Sequence, residues 1–286
     1  MGNRSVFITG AATGIGEALA LKLDQMGWKV FATYNRTPAD SLVEKASSNL
    51  KLLQCNVGDP ESIEKAVSEV KDDLGDTGLT MLISNAAMTG APGPIEFLNL
   101  EDFYFLMEVN FWGPIRLCRA FLPELRKQDN SKIMIVTSTS VYMTIPLGCT
   151  YPTSKSALDA LTRHLRLEME PFGIQVTALE PGGVKTKMTS YDTEKEANNL
   201  WSTIPSDMLE EYQKYFSSPG DEIREKFELW PPSRFAEKVY KKIILKEKWK
   251  PKYIIGPGVS ALPIMHRFLS IRRMEKFMKK LFGVKT

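Results

Sequence analysis

The chain has 286 residues, 43% hydrophobic and 25% charged, with a formal net charge of +3. This composition belongs to a globular chain with material for a sizeable core, and it excludes a disordered, collagen-like or disulfide-stapled one. The charge is unevenly spread: residues 266–286 hold seven Lys/Arg against one Glu, a balance of +6 that leaves −3 for everything before them.

Apolar runs alternate with segments of helical period along the chain. A first strand over 5–9 (SVFIT) is followed by the glycine-rich stretch TGAATGIG and a helix over 14–26. Ile15, Leu19, Leu23 and Met26 give that helix one apolar face, and Gly27 ends it. A strand over 28–34, a helix over 39–47 and a strand over 50–55 come next. Asp59 as N-cap and Pro60 at the first helical position then open a helix over 60–74. Strands are expected at 79–84, 131–138, 174–180 and 252–256, and helices at 101–126 (with a break), 151–171 and 233–246. Such alternation predicts an α/β fold, a single-domain Rossmann-like doubly wound parallel sheet with helices on both faces. Ligands of such sheets bind outside the carboxyl ends of the strands.

No linker or repeat divides the chain, so residues 1–258 are expected to form one unit and 259–286 a basic tail. Cys55, Cys118 and Cys149 lack metal-ligand spacing and read as reduced thiols. Two histidines, His164 and His266, are too few for a histidine metal site or a Ser-His-Asp triad, so no metal is expected. The first strand begins too early for a signal peptide, Val6 departs from the myristoylation pattern, and no run of 18 apolar residues occurs. A cytoplasmic protein is expected, without a nucleic-acid partner, since no binding module is visible.

Thr9 to Gly16 places Gly10, Gly14 and Gly16 between strand and helix, where a tight turn can present amide groups to a pyrophosphate. Further motifs follow at strand ends: SNAA at 84–87, NFWG at 110–113, STS at 138–140, YPTSK at 151–155 and PGGVKT at 181–186. In this order, over roughly residues 5–256, they resemble the short-chain dehydrogenase/reductase family. Asn85 and Ala86 match its usual N-N-A-G, while Ser84 and Ala87 depart from it.

The resemblance implies a catalytic set of Asn110, Ser138, Tyr151 and Lys155. Ser138 stands thirteen residues before the tyrosine, as the family's serine does, with Ser140 in reserve. A free tyrosine has a pKa of about 10. Lys155 and an oxidised nicotinamide beside Tyr151 would lower it, so that Tyr151 gives a proton in reduction and takes one in oxidation. Ser138 would hydrogen-bond the substrate oxygen, and Asn110 would kink its helix. The cofactor would lie against Thr9, Gly10, Thr13, Gly14, Ile15, Gly16, Tyr34, Asn35, Arg36, Asn56, Val57, Asn85, Ala86, Tyr151, Lys155, Pro181, Gly182, Val184 and Thr186. With no carboxylate at the end of FATYNRT and Arg36 beside it, NADP(H) is expected over NAD(H). Thr13 lacks the basic character that many NADP-preferring relatives have in this turn.

The insert at 187–232 is rich in aromatic and apolar residues and is expected to form a substrate lid, or else to pack on the core or a partner subunit. Substrate contacts are assigned to Ser138, Cys149, Tyr151, Met188, Tyr191 and Trp201. KEKWKPKYIIG at 246–256 resembles the hydroxysteroid and retinol dehydrogenase branch, which implies a small hydrophobic carbonyl or alcohol as substrate. The tail spaces Phe268, Ile271, Met274, Met278 and Leu281 at helical intervals among basic residues. It is suited to an anionic membrane surface, to covering the site or to an oligomer, and the family implies dimers or tetramers. A competing reading is a non-catalytic nucleotide-binding sensor that retains the fold.

Overall fold

The computed structural model describes residues 4–189, 200–216 and 228–285. Seven strands, β1 (Ser5–Ile8), β2 (Lys29–Tyr34), β3 (Leu50–Gln54), β4 (Met81–Ser84), β5 (Lys132–Val136), β6 (Gln175–Pro181) and β7 (Lys252–Ile255), form one sheet. All pairings are parallel, in the order β3-β2-β1-β4-β5-β6-β7. The order reverses between β1 and β4, where crevices open at the strands' carboxyl ends.

Alternation within each strand separates two cores. Val6 and Ile8 point to one face and Phe7 to the other; Val30 and Ala32 are likewise opposed to Phe31, and Met134 and Val136 to Ile133 and Ile135. The first core is closed by Leu19 and Leu23 of α1 (Gly14–Gln25) and by Phe235, Ala236 and Val239 of a later helix, Pro232–Val239. The second is closed by α3 (Pro60–Leu74), α5 (Gly113–Leu125) and α6 (Thr150–Met169), with the ring of Phe121 4.5 Å from that of Phe7. The short α2 (Asp40–Lys45) follows β2, and α4 (Leu100–Met107) precedes α5. Burial pushes the Cys55 thiol, with help from Asp59, and the Cys118 thiol up to about 12, and all three cysteines are free.

Local signals set several boundaries. The carboxylate of Asp59 accepts from the Glu61 amide at 3.0 Å with Pro60 beginning α3, and Gly27 turns the chain after α1 at φ +74°. The break expected in 101–126 is a π-helical turn, Glu108–Trp112, between α4 and α5.

In the insert, α7 (Ser206–Tyr215) was not expected, although Met208, Leu209, Tyr212 and Phe216 have helical spacing. Tyr212 stacks on Phe216 and meets Phe97 edge-on, both at 5.9 Å, and its hydroxyl donates to Glu96. After α8 (Pro232–Val239) and β7, the tail forms α9 (Leu262–Phe268) and α10 (Ile271–Leu281). Extended backbone at Leu269 and Ser270 splits the single apolar face expected there: Met274 and Met278 turn inward, while Phe268 and Ile271 are 76% and 78% exposed. The tail closes on the insert, with Val284 bridging Phe216 and the Lys285 amide donating to the Tyr215 carbonyl at 2.9 Å. Among the described residues no helix is long and apolar enough to cross a membrane.

Candidate active site

The site begins where β1 and β4 end. The hydroxyl oxygen of Thr9, fully buried, accepts from the amides of Asn85 and Ala86 at 2.9 and 3.0 Å. Asn85 Nδ2 in turn donates to the carbonyls of Thr9 and Gly10 at 2.9 and 3.2 Å. The two motif residues that survive in SNAA therefore lock the glycine turn onto β4. Gly10 and Gly14 have φ of +66° and +65°, values that favour glycine. A Cβ on Gly16 would lie 2.2 Å from the Gly10 carbonyl oxygen and 2.6 Å from Asn85 Nδ2. Thr13 makes no side-chain cap, so the opening turn of α1 offers its amides to an anion. This turn fits a pyrophosphate-bearing dinucleotide.

At the end of β2, Tyr34, Asn35, Arg36 and Thr37 line the same cleft, with Arg36 exposed and no carboxylate among them. Asn56 accepts from the Gly58 amide at 3.1 Å through its side-chain oxygen, and Val57 is buried beside it. Across the cleft, Thr186 packs against the glycine turn, its Cγ2 3.0 Å from where a Gly14 Cβ would be. Thr189 holds that loop by donating to the Val184 carbonyl at 2.7 Å while accepting from the Thr186 amide at 2.8 Å.

The π turn directs Asn110 inward and buries it. Its Oδ1 accepts from the Met88 amide, and its Nδ2 donates to the Met88 carbonyl, both at 2.9 Å, and to Ser154 Oγ at 3.0 Å. Asn110 thus ties the segment after SNAA to α6. One turn apart on α6 stand Tyr151 and Lys155. Lys155 is 2% exposed, donates to the Val136 carbonyl at 3.0 Å and holds its Nζ 5.8 Å from the Tyr151 ring centroid. Burial lowers its pKa from 10.5 to about 8, so the side chain is a cation at neutral pH. Ser138 Oγ accepts from the Ser140 amide at 3.1 Å, which leaves the Ser138 proton free to be donated into the cleft. Ser140 Oγ is buried without a hydrogen-bond partner among the described residues.

These groups share one cleft of about 720 Å³. It brings together Gly10, Thr13, Gly14, Ile15, Tyr34, Asn35, Arg36, Asn56, Val57, Asn85, Ala86, Ser138, Tyr151, Lys155, Pro181, Gly182, Val184, Thr186 and Met188. Thr9, Gly16 and Asn110 stand behind its wall as braces, and Cys149 and Trp201 do not line it. Cys149 sits at the N-cap of α6, and Tyr191 lies outside the described residues. Sequence reasoning missed Met88, Pro92, Met143 and Ile145, apolar residues that also line the cleft. The signal available was proximity: Met88 follows SNAA, and Met143 and Ile145 lie between STS and YPTSK.

Comparison with known proteins agrees with this geometry. The family profile of short chain dehydrogenases matches residues 4–197. Mouse retinol dehydrogenase 5 is 36% identical over 214 residues, which is 74% of this chain and 66% of that protein. Mouse estradiol 17-beta-dehydrogenase 2 is 33% identical over 216 residues, 74% of this chain and 54% of that protein. The chain therefore spans less than two thirds of the length of either relative. The crystal structure of NADPH-bound carbonyl reductase from chicken fatty liver superposes with a TM-score of 0.62 at 31% identity, over 66% of this chain and 79% of that one. With its parallel sheet, its locked glycine turn and the Tyr151–Lys155 pair on one cleft, the chain belongs to the short-chain dehydrogenase family.

Proposed function

We propose that the protein is an NADP(H)-dependent oxidoreductase that interconverts a hydrophobic ketone or aldehyde and its alcohol. The observation that carries this reading is the buried Lys155 cation beside Tyr151, with Ser138 opening onto the same cleft as the glycine turn. A bound nicotinamide cofactor supplies or takes up hydride at the substrate carbon. The chain's own part is the proton. Tyr151 donates it to the substrate oxygen in reduction and accepts it in oxidation, and the Lys155 charge eases its release. Ser138 donates a hydrogen bond to the oxygen as charge develops there. Asn110 holds α6 in register through Ser154. The glycine turn would hold the pyrophosphate, Lys155 the nicotinamide ribose, Asn56 the adenine and Thr186 the carboxamide. Arg36, in the absence of a carboxylate, favours a 2′-phosphate, and the NADPH-bound carbonyl reductase supports that preference.

Met88, Met143, Ile145 and Met188 in the cleft lining support a hydrophobic substrate, as do the relatives named for retinol and estradiol. In this reading residues 1–258 are the catalytic unit, 187–232 close over the substrate and 259–286 form a docking tail. Exposed Ile264, Phe268 and Ile271 among basic residues suit peripheral contact with an anionic membrane from the cytoplasmic side. Exposed Leu100, Tyr104, Phe105 and Trp112 suit packing on a second copy of the chain.

The test is NADPH or NADH oxidation with steroid ketones, retinal and small aldehydes, run in parallel with Tyr151→Phe. Turnover with NADPH on apolar carbonyls is expected, falling by about 10² or more in the variant. Cofactor binding with no turnover on any carbonyl would favour a nucleotide sensor. Failure to bind either cofactor would overturn the reading.

A further inference from the structure

Glu180, the residue before the Pro181–Gly182 rim of the cleft, is fully buried at the end of β6. A carboxylate in such a place is costly unless it is paired and hydrogen-bonded. Here both of its oxygens are engaged by residues from other elements. The Tyr142 hydroxyl donates to Oε2 at 2.8 Å, and Lys252 Nζ of β7 donates to Oε1 at 2.7 Å. Lys252 also donates to the Tyr142 hydroxyl oxygen at 2.9 Å, which closes a triangle. Asp159 Oδ1 of α6 lies 3.6 Å from Lys252 Nζ, with Arg163 3.5 Å from its other oxygen. Burial opposes the Lys252 charge, but its bonds to Glu180 and Tyr142 more than offset this and raise its pKa. Burial raises the pKa values of Glu180 and Tyr142.

The triangle connects to the site along short stretches of chain and through Asp159. Tyr142 ends a 3₁₀ turn, Thr139–Tyr142, whose N-cap is Ser138. Asp159 is one turn beyond Lys155 on α6. Thr139 adds a second tie by donating to the Pro181 carbonyl at 3.1 Å. The tail reaches the same point, since the His266 ring of α9 meets Tyr142 edge-on at 5.6 Å.

We infer that Tyr142, Glu180 and Lys252 are positioning residues, a clamp that holds the Ser138 turn and the Pro181–Gly182 rim in register with Tyr151 and Lys155. The inference rests on the proposed roles of Ser138 and Tyr151. It places the clamp's effect in the chemical step, because donor geometry at the substrate oxygen matters most when charge has developed there.

The test uses the full chain with Tyr142→Phe, Lys252→Met and Lys252→Arg. Tyr142→Phe removes one hydroxyl and keeps the ring against His266. In it and in Lys252→Met, kcat is expected to fall by about 10- to 100-fold, with carbonyl KM and NADPH Kd within about threefold of the parent. Lys252→Arg is expected to recover most of the loss. The nicotinamide emission of bound NADPH, read without any carbonyl, should shift in the first two variants and return in the third. Unchanged kcat and unchanged emission, even with a lowered Tm, would overturn the clamp and leave a purely stabilising network. A parent enzyme that turns over no carbonyl would instead sink the proposed function, and the emission comparison would still decide the clamp.

Discussion

Lys155→Met should make the protein more stable at neutral pH while abolishing its chemistry. The pKa of Lys155 falls from 10.5 to about 8 because its charge is buried. At ~1.4 kcal/mol per pKa unit, folding with this group charged costs about 3 kcal/mol. Methionine has similar length and no charge, so it escapes that cost. The substitution leaves the Val136 carbonyl without the 3.0 Å bond it now accepts, a loss of about 1 kcal/mol. The net gain at pH 7 is about 2 kcal/mol, or roughly 3 °C in Tm. Its pH dependence has a definite sign. Below pH 8 the lysine is protonated in both folded and unfolded chains, and the parent bears the full burial cost. From about 8 to 10.5 the folded chain has lost the proton that the unfolded chain still binds, so the parent gains stability as pH rises. The advantage of the variant should therefore shrink through that window and become a deficit of about 1 kcal/mol at its upper end, where only the lost hydrogen bond remains. Thermal or urea unfolding of both proteins from pH 6 to 10.5 measures it. A variant less stable than the parent at pH 7, or a difference flat across the window, would refute the argument.

Three further substitutions test the rest of the site. In Gly16→Ala the new Cβ meets the Gly10 carbonyl at 2.2 Å; a loss of about 1–3 kcal/mol is expected, and NADPH affinity in a fluorescence titration should drop with it. Parent-like binding would show that the turn tolerates the shift. Thr9→Val keeps the shape but strips the acceptor from the Asn85 and Ala86 amides; about 2–4 kcal/mol should be lost in urea unfolding, with Thr9→Ser retaining most of it. Arg36→Glu should weaken NADPH by about tenfold or more and leave NADH nearly unaffected. Equal effects on both cofactors would mean that Arg36 does not meet the 2′-phosphate.

Features that depend on neighbours in the chain were legible in advance. Asp59 and Pro60 announce α3 because a cap and a fixed φ act within one turn. The strands announce themselves because a two-faced parallel sheet needs continuous apolar runs. The glycine turn and Tyr-x-x-x-Lys are readable for the same reason, since one loop or one turn of helix sets their geometry. The part of Met88, Met143 and Ile145 in lining the cleft was not legible, because methionine and isoleucine beside a motif look like any core residue until the loops carrying them reach the cleft. The place of Trp201, which does not line the cleft, was not legible for the converse reason: an aromatic in an insert has no address until the insert packs.

The sequence by itself therefore determined the order of the strands, the doubly wound sheet, the family and the tyrosine–lysine pair, all carried by local periodicity, caps and short motifs. Tertiary structure decided how each chemical group is held. Thr9 meets Asn85 across 76 residues, Asn110 meets Ser154 across 44, and Lys252 meets Tyr142 across 110. The burial that shifts Lys155 exists only once β5 and α6 pack together. Desolvation and hydrogen bonding between distant segments are properties of the packed chain, and no spacing rule along the sequence encodes them.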